Sequence, residues 1–115
     1  MIKATRVFSG DDGESYFEDI EIPFEDKLGP SILTRPMAAS DTFFIENSGE
    51  HSSEWHTAPC RQMIVVMKGE LEIETGDGSK RRFYPGDVLI AEDISGRGHM
   101  TRTWSRKAVV IRLGS

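Results

Sequence analysis

The sequence predicts an all-β domain, a small barrel or sandwich with one polar site inside its mouth. Two observations carry this reading. Apolar residues come in short alternating runs bounded by Gly, Pro, Asn and Asp, and no stretch sustains a 3.6-residue period. The runs recur every few residues along all 115 positions, as in a sandwich or barrel. A chain of this length is expected to form one domain, residues 1–115, with a thin core and no helix longer than about two turns.

The elements follow in order. Residues 2–8 read as a first strand, ended by S-G-D-D-G. In 16–24, Tyr16, Ile20, Ile22 and Phe24 share one face, and Phe17, Asp19 and Glu21 the other. Pro23 marks an edge or a strand end. Residues 25–40, with Gly29, Pro30 and Pro36, read as a loop, and 41–47 as a third strand. Gln62 to Met67 is a strand, and Lys68-Gly69 reads as a tight turn in which Gly takes positive φ. Glu70 to Thr75 returns with Leu71 and Ile73 inward and Glu70, Glu72 and Glu74 outward. G-D-G-S closes the next hairpin, Lys80 to Tyr84 follows, and P-G-D turns into Val88 to Ala91. After the loop D-I-S-G-R-G, His99 to Trp104 and Lys107 to Leu113 pair across Ser105-Arg106, with Val109, Ile111 and Leu113 on one face.

Charge and composition exclude some functions. The formal net charge is -5 and the pI about 5.2. The only basic cluster, Lys80-Arg81-Arg82, lies in a predicted strand, so no nucleic-acid partner is expected. One cysteine allows no internal disulfide and fits a reducing compartment. The N-terminus lacks the apolar run of a secretory signal, and no window reaches the roughly 18 apolar residues of a membrane span. A soluble, cytoplasmic protein is expected.

The stretch from Trp55 to Trp104 carries the chemistry. It holds His56, Gln62 and His99 near predicted strand ends, and Gly69, Gly86, Gly96 and Gly98 at predicted turns. Over residues 42–113 the chain resembles a cupin. The first cupin motif reads G-x5-H-x-H-x(3 or 4)-E-x6-G. His56 matches its first His, Ala58 falls at the second, Gln62 at the Glu, and Gly69 at the closing Gly. The second motif reads G-x5-P-x-G-x2-H-x3-N. Gly96 and His99 match it, Ile94 and Thr103 stand at the Pro and Asn, and Gly86 matches the opening Gly if the loop is two residues longer.

The resemblance implies a jelly-roll barrel, the cupin-type double-stranded β-helix, with its site inside, and residues 1–40 as N-terminal strands and loop. In metal cupins three His and one Glu hold a divalent ion. This chain keeps His56 and His99, has Gln62 in place of the carboxylate, and has Ala58 in place of one His. Two imidazoles and an amide leave the ion's charge uncompensated, but open positions would suit one divalent ion of Fe, Mn, Zn or Ni. The candidate metal set is therefore His56, Gln62 and His99, and Gln62 is alternatively an orienter of His99.

Positions 56, 58, 60 and 62 share strand parity and are expected to face inward, unless Pro59 breaks the strand. His56 and His99 are the candidate catalytic residues, as metal ligands or as a general base. Trp55, Cys60 and Thr101 are the candidate substrate contacts. Cys60 is either a small buried hydrophobe or a thiol in the site. Trp55 and Trp104 pack in the core or line the mouth. His51, Glu92 and Asp93 are expected in solvent. Arg35, Arg61 and Arg102 serve the surface or an anionic substrate.

Two functions stand open. One is an enzyme, an oxygenase, isomerase or lyase acting on a small molecule. The other is a metal-free ligand-binding or sensing cupin. On the motif alone, His99→Ala is expected to remove the site and spare the fold. A homodimer is expected, with 2–8 and 16–24 as pairing strands.

Overall fold

A computed structural model describes residues 1–114. The strands are β1 (Ile2–Ser9), β2 (Ser15–Ile22), β3 (Phe24–Leu28), β4 (Ser31–Thr34), β5 (Asp41–Glu46), β6 (Glu50–Ser52), β7 (Arg61–Glu74), β8 (Lys80–Phe83), β9 (Val88–Glu92) and β10 (Met100–Gly114). Among the described residues there is no helix, so none is long and apolar enough to cross a membrane. The expected all-β class is what forms.

Eight strands form one sheet, folded at the middle of β7 and β10 into two layers as in a jelly roll, and β3 and β4 form a separate pair. One layer runs β2-β1-β9-β7-β10-β5, using the first half of β7 and the second half of β10. The other joins β8 and β6 to the remaining halves, Glu70–Glu74 and Met100–Trp104. Strands β2, β5, β6 and β8 each pair on one side only. Most pairs are antiparallel, while β1 and β9 run parallel.

Two expected hairpins are absent. Lys68-Gly69 and Ser105-Arg106 are not turns; β7 and β10 each pass through as one strand and pair with each other on both sides. The register shifts between Trp104 and Lys107, a β-bulge. Gly69 has φ 73° and Ser105 has φ 44°. A left-handed residue signals a turn and a bulge alike, so the local sequence does not separate them. A Cβ on Gly69 would overlap the carbonyls of Trp104 and Ser105, so this corner needs glycine.

The bulge reverses side-chain parity. On β7, Gln62, Ile64 and Val66 face inward before the corner, and Leu71 and Ile73 after it. On β10, Thr101 and Thr103 give way to Arg106, Ala108 and Val110. Both layers thereby turn one continuous face to the interior. The core is Val7, Val66, Leu71, Ile73, Phe83 and Leu89, with Phe17 and Ile64 against it. The expected inward set Leu71 and Ile73 is found, and Val109, Ile111 and Leu113 share the opposite face of β10.

Residues 25–40 do not form a plain loop. β3 and β4 make an exposed hairpin that pairs only with itself. Gly29 and Pro30, part of the loop reading, form the turn of this hairpin, whose strands are only five and four residues long.

Three strands of the long layer are clamped by charge. Glu92 of β9 accepts hydrogen bonds from the guanidinium Nε of Arg6 on β1 and of Arg61 on β7. Glu92 is therefore not a solvated rim residue. Burial alone would raise its carboxyl pKa, but the hydrogen bonds from Arg6 and Arg61 outweigh burial and hold it below the ordinary carboxylate range. A lowered folded pKa means stability that is present above the unfolded value, about 4.3, and is lost as pH falls through the folded value. Unfolding midpoints should drop below about pH 4, and Glu92→Gln should flatten that drop. An unchanged acid limb in the variant would show that Glu92 is not the clamp.

Candidate functional site

The site is built where a loop meets a strand end. Residues before β7 do not extend that strand, since the chain bends at Pro59 and Cys60, and the parity argument for 56, 58 and 60 fails there. His56 stays exposed and reaches the edge of the cavity by another route. It forms an isolated antiparallel bridge with His99. The His56 N–H donates to the His99 carbonyl at 3.0 Å, and the His99 N–H donates to the His56 carbonyl at 2.9 Å. The two rings lie 4.6 Å apart at 57°.

That approach depends on Gly98. It is buried, has φ 78°, and a Cβ there would overlap the His56 carbonyl. The sequence marks Gly98 as a turn residue; its second role, making room for His56, appears only in three dimensions. Ser15 fixes the same segment, donating from Oγ to the Gly98 carbonyl at 2.7 Å.

Each imidazole is held through Nδ1, the exposed His56 by a backbone carbonyl and the buried His99 by a carboxylate. His56 Nδ1 faces the Glu54 carbonyl at 2.8 Å. His99 Nδ1 faces Asp93 Oδ2 at 2.5 Å. A carbonyl and a carboxylate accept, so both Nδ1 atoms donate and both Nε2 atoms carry a free lone pair in the neutral ring. His99 is 7 % exposed and Asp93 0 % exposed. Asp93 Oδ1 has no hydrogen-bond partner among the described residues. The Asp93 carbonyl accepts from the Ala58 N–H at 3.1 Å, which ties the first-motif loop to the second.

Asp93 was the residue missed. It follows a buried strand and opens a polar loop, so solvent exposure was the natural expectation. The sequence signal that remained was its place six residues before a motif histidine, which fits a carboxylate orienting an imidazole.

A cavity of about 240 Å³ opens beside the pair. His56, Gln62, His99 and Thr101 all line it, with His51 and Ser53 on the same side. Val7, Ile64, Leu71, Ile73, Leu89 and Val110 supply apolar wall. Four of the expected site residues thus converge. Trp55 and Cys60 are not among the lining residues, although both were expected to touch substrate. Trp55 carries the Arg97 guanidinium on its face at 3.8 Å, and Trp104 is flanked by Arg82 at 4.2 Å and Arg102 at 5.4 Å. Both indoles are half-buried platforms for surface arginines, neither core nor mouth. His51 is exposed as expected, yet it borders the cavity.

Among the described residues no three of His, Cys, Asp and Glu converge as a metal cluster. The side chains that could offer donors to a cation are His56, His99 and Gln62, which all line the cavity. The amide makes no hydrogen bond to protein among the described residues, so it does not orient His99; Asp93 does.

No protein-family model matches the chain, and no curated protein matches it. Among solved structures it is similar to a crystal structure from Salmonella typhimurium LT2 named for ethanolamine utilization, protein Q. Identity is 14 %, the TM-score is 0.48, and the match covers 100 % of this chain and 98 % of that one. The fold class therefore rests on this chain's own strands and register, and the site on its own side chains.

Proposed function

We propose that this protein is a small-molecule cupin that binds a metabolite-sized ligand between its layers, with His99 as the proton-accepting group. The observation that carries this is His99 in the cavity wall with the buried Asp93 behind it on Nδ1. Asp93 fixes the tautomer in which Nε2 is the acceptor. A base held this way suits proton abstraction, the chemistry of isomerases and lyases. The cavity, about 240 Å³, lies below the ~300–1,000 Å³ of drug-sized pockets, so the ligand is small.

The test is direct. Long-range ¹H–¹⁵N spectra of the purified protein should show the Nδ1–H tautomer at His56 and at His99. A metabolite mixture that binds should shift both ring signals. The opposite tautomer at His99, or binding that leaves both rings unmoved, would sink the reading.

The two close imidazoles at the cavity favour one second reading, a divalent ion on His56, Gln62 and His99. Such an ion would polarise a bound carbonyl or hydroxyl. Lacking a carboxylate, the set should bind weakly, and Gln62→Glu should tighten binding of Zn²⁺ or Ni²⁺ by about tenfold or more. Calorimetric titration showing equal affinity for variant and parent would remove the metal reading.

The assembly proposed is a homodimer. β1 is paired on both sides, so of the two strands expected to pair only β2 has a free edge. The exposed β3–β4 hairpin is the stronger candidate. Leu28, Ile32 and Leu33 of this arm are exposed, and a lone hairpin is marginally stable in water. The outer face of the long layer exposes Phe44 at 72 %, in register with Val109 and Val65. Arm and face lie on one chain, so two copies can cover each other reciprocally. Sedimentation should give twice 12.9 kDa, and Phe44→Asp should shift it to the monomer. A parent protein that stays at 12.9 kDa at micromolar concentration would count against this.

A further inference from the structure

Nine arginines are present, and eight of them sit within ion-pair distance of a carboxylate: Arg6, Arg35, Arg61, Arg81, Arg82, Arg97, Arg102 and Arg112. Arg61, Arg35 and Arg102, the sequence's candidates for an anionic substrate, are among these pairs and do not line the cavity. Arg106 is the exception. It has no carboxylate partner among the described residues, it is half-buried, and it lines the cavity.

The bulge at Ser105 puts it there. In an unbroken β10 the inward series Thr101 and Thr103 would continue to 105 and 107, and Arg106 would point out. The extra residue re-aims it. Asn47 then fixes it twice. The Asn47 N–H donates to the Arg106 carbonyl at 3.0 Å, and Asn47 Oδ1 accepts from Arg106 Nε at 3.2 Å. Asn47 Nδ2 is itself anchored on Thr103 Oγ1 at 2.7 Å. This holds the guanidinium by its Nε edge and leaves both Nη groups without a protein acceptor among the described residues.

The rest of the lining is complementary. No Asp or Glu lines the cavity, although the chain carries 19 of them and a net charge of -5. A guanidinium removed from water without a counter-ion is costly, and burial lowers the Arg106 pKa from its ordinary value. A fold that spends its other arginines on ion pairs leaves this one for something absent from the chain.

We infer that the cavity ligand carries an anionic group, most simply a carboxylate, taken by the Nη fork of Arg106. This rests on the cavity reading above and adds the ligand's charge class. A planar guanidinium meets a carboxylate through two parallel hydrogen bonds, which an isosteric amide cannot match. Arg106 is thus a specificity residue, distinct from the proton-accepting His99.

The test uses matched pairs of short carboxylates and their amides, butyrate against butyramide and benzoate against benzamide, followed by ring signals of His56 and His99. The carboxylates should bind about tenfold tighter or better than the amides. Arg106→Gln should erase that preference while the amides bind as before. Asn47→Asp supplies an internal counter-ion and should erase it too while keeping the guanidinium in place, with only the Nδ2 hydrogen bond to Thr103 lost, so a poorly folding Arg106→Gln does not decide the matter. If carboxylates and amides bind the parent equally, the anion inference falls and the cavity reading stands. If no probe moves either ring, both fall.

Discussion

Replacing His99 with alanine should cost the fold roughly 3–5 kcal/mol, because it strands a buried carboxylate. Asp93 is fully buried, and His99 Nδ1 is the one hydrogen-bond donor that its side chain has among the described residues. Against a total stability of about 5–15 kcal/mol, that loss brings the variant near unfolding at 37 °C. From the motif alone the same substitution looks like a clean loss of site; the buried partner overturns that expectation. The double variant Asp93→Asn/His99→Ala removes the stranded charge and should recover much of the stability. Asp93→Asn alone should cost less, about 1–3 kcal/mol, while weakening ligand or metal binding by about 10–100-fold through loss of the fixed tautomer. Urea unfolding of the four proteins forms a double-mutant cycle. Additive losses, with no coupling between 93 and 99, would show that the pair is not the buried unit described.

The second large effect is at Gly98. An added methyl would overlap the His56 carbonyl, and the φ of 78° is disfavoured for any L side chain. The backbone strain alone is about 1–2 kcal/mol. The overlap adds to it, and no flexible side chain can yield, since the obstacle is backbone. Gly98→Ala should therefore open the His56–His99 bridge and abolish ligand-induced shifts at both rings. Gly86→Ala is the control: the φ is 93°, but an added Cβ meets open space. It should show the strain and keep the site. Equal behaviour of the two variants would mean that the histidine bridge does not require the close approach.

Both expectations come from contacts that no spacing rule reveals, while much else was legible. Alternation in Glu70–Glu74 fixed which residues face in, since the strand period of two is a local property. The turns at Gly76–Ser79 and Pro85–Asp87 were legible because their residue types permit little else. The motif spacing pointed to His56, Gln62 and His99, which line one cavity together with the expected neighbour Thr101, even though the parity argument for His56 fails at Pro59.

What the sequence by itself determined is the class of fold and the inward face of Glu70–Glu74, because alternation and turn chemistry act over a few neighbours, and it named four residues that line one cavity. Tertiary structure alone decided the rest. Whether Gly69 and Ser105 make turns or a bent pair of strands depends on partners more than thirty residues apart, and the local conformation is the same in both cases. That choice sets the parity of everything after it, and so sends Arg106 into the cavity. Asp93 likewise looks like a loop carboxylate until the chain closes over it, since burial is a property of the packed molecule and not of the residue.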